Sequence, residues 1–262
     1  MNSELVEKLR KNFKIESLEN YNKILCVQPH PDDMDIAIGA TVKKLSEMGK
    51  NITYITVTDG GLGTYDKNIT RQQLSDTRKA EQLKASEFLG VKENYFLNFE
   101  DGGSYTVEQV SDVLIPLFRS INPEIVITVD PYLEYEIHPD HIKCGKAVNM
   151  ALLFYGFPGY HIKENIEKIS EGKDLKALGY VFTRNPNYFY NVDGYFRDKF
   201  EALKLHESQD LDENKNKAMA EFCNYFRIKA CFYGEKIGCE YAEEMKILST
   251  SMLHCFSEAA YL

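Results

Sequence analysis

Through its first 155 residues the chain alternates short apolar runs with longer segments of helical period. The runs are ILCVQP at residues 24–29, NITYITVTDGG from Asn51, NYFLNF from Asn94, and EIVITVD from Glu124 to Asp130. Around them lie DIAIGATVKKLSEMG, ending at Gly49, ITRQQLSDTRKAEQLKASEFLG, ending at Gly90, TVEQVSDVLIPLFRSI, and HPDHIKCGKAVNMALLFY from His138. Runs rich in β-branched residues favour strands, apolar residues three and four apart favour helices, and glycine closes a helix because it tolerates the left-handed conformation. Strands joined by crossover helices predict an α/β fold with a mainly parallel sheet covered on both faces and right-handed connections. A strand order of 3-2-1-4-5 then sets strands one and four side by side.

Farther along, residues 156–176 mix turn residues with a short helical pattern and read as an excursion near the site. YVFTRNPNYFYNV reads as strand-like, a helix is expected from Gly194 to about His206, and a long one through KNKAMAEFCNYFRIKACFYGEKI. No repeat, low-complexity tract or boundary divides the chain, so residues 1–262 are expected to form one domain. At 262 residues and 44% apolar composition, it has material for a full core.

A net charge of −9 without a dense Lys/Arg block argues against a nucleic-acid partner and points to a small or neutral substrate. No stretch approaches the roughly 18 apolar residues of a membrane span, and MNSELVEKLRKNFKIE lacks the apolar core of a signal peptide. A cytoplasmic protein without membrane attachment is the expectation. Six cysteines without a C-x-x-C pair suggest free, largely buried thiols rather than a thiolate metal site.

Two motifs carry the chemistry. QPHPDDMD, with His30, Asp32 and Asp33, follows the first strand, and HPDH, with His138 and His141, follows the fourth. Ligands of open α/β sheets bind beyond the carboxyl ends of the strands where strand order reverses, which would bring the two motifs over one crevice. Either motif alone could be a turn whose Asp caps the next helix. Together they point to a shared site. Imidazoles with a carboxylate and no sulfur suit Zn2+ or another divalent ion. His30, Asp33 and His141 form the obvious ligand set, leaving Asp32 free to act as a base and His138 free beside it. TDGGLG lacks the order of a phosphate-binding loop and reads as a glycine turn at the pocket rim.

These motifs, with GATVKKLSEMG, TRKAEQLKASEFLG, LNFEDG, KFEALKLHESQ and GCEYAEEM in order, resemble the LmbE-like, or PIG-L-type, metal-dependent deacetylases. The resemblance runs from about Ile24 to Met245 and implies a Rossmann-like three-layer fold. The implied activity is zinc-dependent removal of N-acetyl groups from N-acetylglucosaminyl compounds, and the implied assembly is a homo-oligomer. It implies that His30, Asp33 and His141 bind the metal, that Asp32 is the general base, and that His138 stabilises or protonates the reacting centre. Arg78 and Asp101 match positions that contact sugar hydroxyls. Met34 and Asp35, after the paired aspartates, resemble the branch acting on acetylated chitobiose. Glu136 stands where some members carry Tyr, so Tyr132 or Tyr135 could assist only if that loop is shifted. His206 reads as a structural histidine near the site.

Overall fold

The computed structural model describes residues 3–160, 174–214 and 217–261. In chain order these form α1 (Ser3–Asn12), β1 (Lys23–Gln28), α2 (Asp33–Glu47), β2 (Asn51–Thr58), α3 (Arg71–Leu89), β3 (Glu93–Phe99), α4 (Val107–Ile121), β4 (Ile125–Val129), α5 (Pro139–Phe154), β5 (Ala177–Val181), β6 (Tyr188–Asn191), α6 (Phe196–Leu203), α7 (Lys217–Ile237) and β7 (Ala242–Ser249). No helix among the described residues is long and apolar enough to cross a membrane.

The seven strands lie in the order β3-β2-β1-β4-β5-β7-β6. The first five are parallel, with Ile24 of β1 registered against Ile52 on one side and Ile125 on the other. The order expected from the alternation is therefore present, extended by two strands. β7 runs antiparallel to both β5 and β6. Helices cover both sides of the sheet, α2 packing against α3 and α6, and α4 against α5. Thr70 and Thr106 open α3 and α4 through reciprocal capping bonds with Gln73 and Gln109, and Gly90, at φ 83°, closes α3.

Beyond β4 the elements differ from expectation. YVFTRNPNYFYNV is two strands, because Phe182 turns the chain at φ 52° before β6 begins at Tyr188. The helix expected from Gly194 to His206 spans only Phe196–Leu203. β7 carries Glu243, Glu244 and Lys246, and these charges obscure the strand in the sequence. Of the excursion at 156–176, residues 161–173 lie outside the described residues; before them, Arg119 of α4 donates to the carbonyls of Tyr155, Phe157 and Tyr160. The cysteines are free, but only Cys26, Cys144 and Cys223 are buried; Cys231 and Cys255 are exposed and Cys239 is intermediate.

α2 is broken at Ile38 (φ −136°, ψ 28°). An interrupted helical ladder leaves a carbonyl and an amide without partners, and both must be satisfied when buried. Lys199 Nζ donates to the Ala37 carbonyl at 3.0 Å, while Glu243 Oε2 accepts from the Thr41 amide at 2.7 Å. The two side chains also pair with each other at 2.8 Å, each only 2% exposed. α6 and β7 thus complete a helix they do not belong to. Lys199→Met should lower unfolding free energy by about 3–5 kcal/mol, since it strands a buried carboxylate and a carbonyl. Urea denaturation measures this, and an unchanged midpoint would show that the pair holds nothing.

Candidate active site

The site begins where β1 ends. Asp32 sits at φ 100°, ψ −26°, a left-handed conformation that costs a non-glycine residue about 1–3 kcal/mol and persists only when surrounding bonds fix it. The Asp32 amide donates to Gln82 Oε1 at 2.7 Å, and the Met34 amide to Gln28 Oε1 at 2.8 Å. Arg78 grips the same turn through the carbonyls of Pro31 at 2.7 Å and Gly60 at 3.0 Å. Gln82 also accepts from Gln28 and donates to Asp35, whose other oxygen accepts from Tyr54.

This turn sends the adjacent carboxylates apart. Asp32 makes no cap bond to α2 and instead meets Arg78 Nη2 at 3.1 Å, whereas Asp33 lies between His30 Nδ1 at 3.3 Å and His141 Nε2 at 3.4 Å. His30, Asp33 and His141 each place a ligand atom within 4.8 Å of the others. His30 Nε2 faces away, toward Asp101 Oδ1 at 3.3 Å and Asp140 Oδ2 at 3.4 Å. Asp140 also accepts from the Gly102 amide and the Tyr105 hydroxyl, both at 2.7 Å. A carboxylate behind the second ring nitrogen is the usual support of a metal-binding histidine. His30, Asp101, His138 and Asp140 form an overlapping cluster, but both oxygens of Asp140 are already engaged, so the His30, Asp33 and His141 set fits an ion better.

His138 occupies the cap position of α5, its Nδ1 accepting from the Asp140 amide at 3.3 Å, and its ring lies edge-on to His30 with centroids 4.5 Å apart. An accepting Nδ1 leaves the proton of a neutral ring on Nε2. His30, Asp32, Arg78, Asp101, His138 and Gln209 help line a cleft of about 480 Å³. A larger cavity of about 880 Å³, beside Leu178, Tyr180 and Lys246, contains none of these groups.

The seven residues given metal, catalytic or sugar-contact roles in the sequence lie together, and two of them make unexpected contacts. Arg78 is 4% exposed and pairs with Asp32, while Glu81, three residues on, accepts from the amide and hydroxyl of Ser208. Asp101 already uses both oxygens, on His30 and on the Leu62 amide. Tyr132 and Tyr135 are 72% and 88% exposed and do not line the cleft. In their stead Glu136 accepts from the His138 amide and lies 3.4 Å from His141 Nδ1. His206 is fully buried and pairs with Asp35 at 2.9 Å rather than with the His30, Asp33 and His141 set. Sequence reasoning missed Gln28, Gln82, Tyr105 and Asp140, and noted Glu136 only as standing in place of Tyr; Gln28 inside QPHPDDMD and Asp140 inside HPDH were the available signals.

Fold and site define a three-layer α/β protein with a His/Asp cluster able to hold a divalent metal at the carboxyl ends of its parallel strands. A family model described as PIG-L, GlcNAc-PI de-N-acetylase, matches residues 25–152. The chain is 34% identical over 253 residues to the diacetylchitobiose deacetylase of Thermococcus kodakarensis, covering 96% of this chain and 92% of the relative. It is 31% identical over 194 residues to a probable N-acetyl-alpha-D-glucosaminyl L-malate deacetylase 2 of Bacillus cereus, covering 71% and 83%. Among solved structures, the N,N'-diacetylchitobiose deacetylase of Pyrococcus horikoshii, complexed with its inhibitor MPG, matches with a TM-score of 0.89 at 30% identity, over 100% of this chain and 98% of that one. The chain belongs to the PIG-L family.

Electrostatics reflect the crowding. Burial opposes ionisation of Asp33, yet His141 and His30 hold its carboxyl well below the usual range. Asp101 and Asp140 are likewise lowered against burial, each chiefly by His30. Burial opposes protonation of His30, His141 and His206, but their carboxylate partners raise all three. His138 is lowered, by burial and then by the charges of His30 and His141. Asp32 is raised by burial, with Arg78 pulling it down and Asp33 pushing it up.

The depressed acids contribute stability above about pH 4 and lose it as pH falls through their folded values. The raised histidines contribute below about pH 6.5 and lose it as pH rises through theirs. Asp32 works against the other acids. Metal-free protein should thus melt highest between about pH 4 and 6.5, and a divalent ion should restore the alkaline side, where it replaces protons on His30 and His141. Thermal melts across pH with and without chelator test this; a flat metal-free profile above neutrality would contradict it.

Proposed function

We propose that the protein is a zinc-dependent deacetylase that hydrolyses the N-acetyl group of an N-acetylglucosamine-containing sugar or glycoside, with acetylated chitobiose as the leading substrate. The supporting observation is the turn at Asp32, which delivers one aspartate to two histidines and its neighbour to the cleft. His30, Asp33 and His141 hold the metal in this reading, two imidazoles and a carboxylate without sulfur being a zinc donor set. When bound, such an ion lowers the pKa of a water and polarises a carbonyl.

Asp32 takes a proton from the water that attacks the acetyl carbon. Arg78 keeps its carboxylate oriented and charge-balanced. His138 presents Nε2–H to the carbonyl oxygen as negative charge develops there. When the C–N bond breaks, the proton held by Asp32 passes to the departing amine, giving acetate and the free amino sugar. Arg78 and Asp101 bound the sugar end of the cleft; with Arg78 engaged by Asp32 and the carbonyls of Pro31 and Gly60, and Asp101 by His30 and the Leu62 amide, they shape the pocket as much as they contact hydroxyls. The match over 96% of the chain to a chitobiose deacetylase, against 71% to the malate-glycoside enzyme, favours the chitobiose reading. Assay of acetate release from GlcNAc, diacetylchitobiose and GlcNAc-malate should show highest kcat/KM on diacetylchitobiose. No release from any of them would favour a non-catalytic sugar-binding role.

The two aspartates give the mechanistic test. Asp32→Asn should retain zinc and lose ~10²- to 10⁴-fold in rate, the usual worth of a general base. Asp33→Asn should lose zinc along with rate, and excess zinc should restore part of it. Elemental analysis and kinetics on the same preparations decide. Zinc loss in Asp32→Asn would mean the roles are wrongly assigned.

A further inference from the structure

Glu136 lies in the loop that leads from β4 into α5 and faces both histidines of the motif that follows it. Its Oε1 accepts from the His138 amide at 2.8 Å, and its Oε2 lies 3.4 Å from His141 Nδ1. The His141 and Glu136 side chains are only 15% and 18% exposed, so solvent screens the contact little. The two nitrogens of the His141 ring thus have different neighbours, Asp33 at Nε2 and Glu136 at Nδ1. Phe182 stacks on that ring, with 25° between the planes and centroids 6.3 Å apart, and so opposes the rotation that would exchange them. At 3.4 Å the Glu136 contact exceeds the roughly 2.7–3.2 Å of a formed hydrogen bond, and among the described residues His141 Nδ1 is buried without a hydrogen-bond partner. Buried nitrogens are seldom left so. His30 shows the satisfied counterpart: one ring nitrogen faces Asp33, and the other faces Asp101 and Asp140.

We infer that Glu136 is a positioning residue whose Oε2 accepts from His141 Nδ1–H, leaving the Nε2 lone pair for the metal, while its Oε1 holds the backbone of His138. A neutral imidazole carries one N–H, and the acceptor that takes it decides which nitrogen is left to ligate. One carboxylate thereby sets both the tautomer of a metal ligand and the place of the histidine that faces the acetyl oxygen. The assignment rests on the zinc site proposed above and is independent of which sugar is the substrate.

Glu136→Gln separates charge from shape. The amide oxygen can still accept from the His138 amide, but the NH2 group offers His141 Nδ1 a donor and favours the tautomer whose proton sits on Nε2, where it blocks the metal. Zinc affinity, measured by competition with a chromophoric chelator, should fall about 10- to 100-fold with unchanged circular dichroism. NMR of the histidine ring nitrogens in zinc-loaded wild type, which needs no variant, should place the His141 proton on Nδ1. Neither measurement uses substrate, so both read the metal site whether or not acetate is released from any sugar. Zinc binding in Glu136→Gln as tight as in wild type would show Glu136 to be a loop cap alone, and a wild-type His141 proton on Nε2 would overturn the assignment equally. Wild type that binds no zinc would overturn it together with the zinc reading.

Discussion

Two neighbouring aspartates would repel each other if both pointed into the same space, and the left-handed turn at Asp32 prevents it. That conformation is unfavourable for an aspartate and survives because Gln82, Gln28 and Arg78 bond the backbone on either side of it. Separation is what makes the two carboxylates chemically different. Asp33, held between His30 and His141, is pushed strongly acidic, while buried Asp32 is raised. The site therefore depends on a backbone angle, and the angle depends on buried amide and guanidinium groups contributed by β1 and α3.

The rest of the fold serves that turn by bringing β4 next to β1. Parallel register of Ile24 with Ile125 puts the ends of the two strands level, so His141 in the first turn of α5 reaches Asp33 in the first turn of α2. Asp140 then closes the arrangement from behind, linking His30, Gly102 and Tyr105 and so tying in the loop after β3. Three strand ends thus converge on one histidine ring.

The alternation of β1 to β4 with helices is legible in sequence because β-branched runs and helical periodicity signal local preference directly. The motifs HPDD and HPDH are legible as a pair, because either alone could be a helix-capping turn whereas two of them beyond neighbouring parallel strands meet at one crevice. β7 is hidden because Glu243 belongs to a helix break elsewhere, so its charge reads as surface while its side chain is buried. Gln28 and Gln82 are hidden for a related reason: glutamine is unremarkable in sequence, and only the three-dimensional path of the turn shows that one amide group serves Asp32, Gln28 and Asp35 together. That Arg78 spends its guanidinium on Asp32 and on the carbonyls of Pro31 and Gly60 emerges only when α3 is placed over the turn.

The ion pair that mends the break in α2 has a consequence for heat. Hydration of charged groups becomes less favourable as temperature rises, so the penalty for keeping Lys199 and Glu243 dry shrinks on warming, while the contribution of apolar burial levels off. The joint between α2, α6 and β7 accordingly bears a growing share of the remaining stability as the melting point nears. What that joint holds is the second half of α2, tied through Lys199 and Glu243 to α6 and β7.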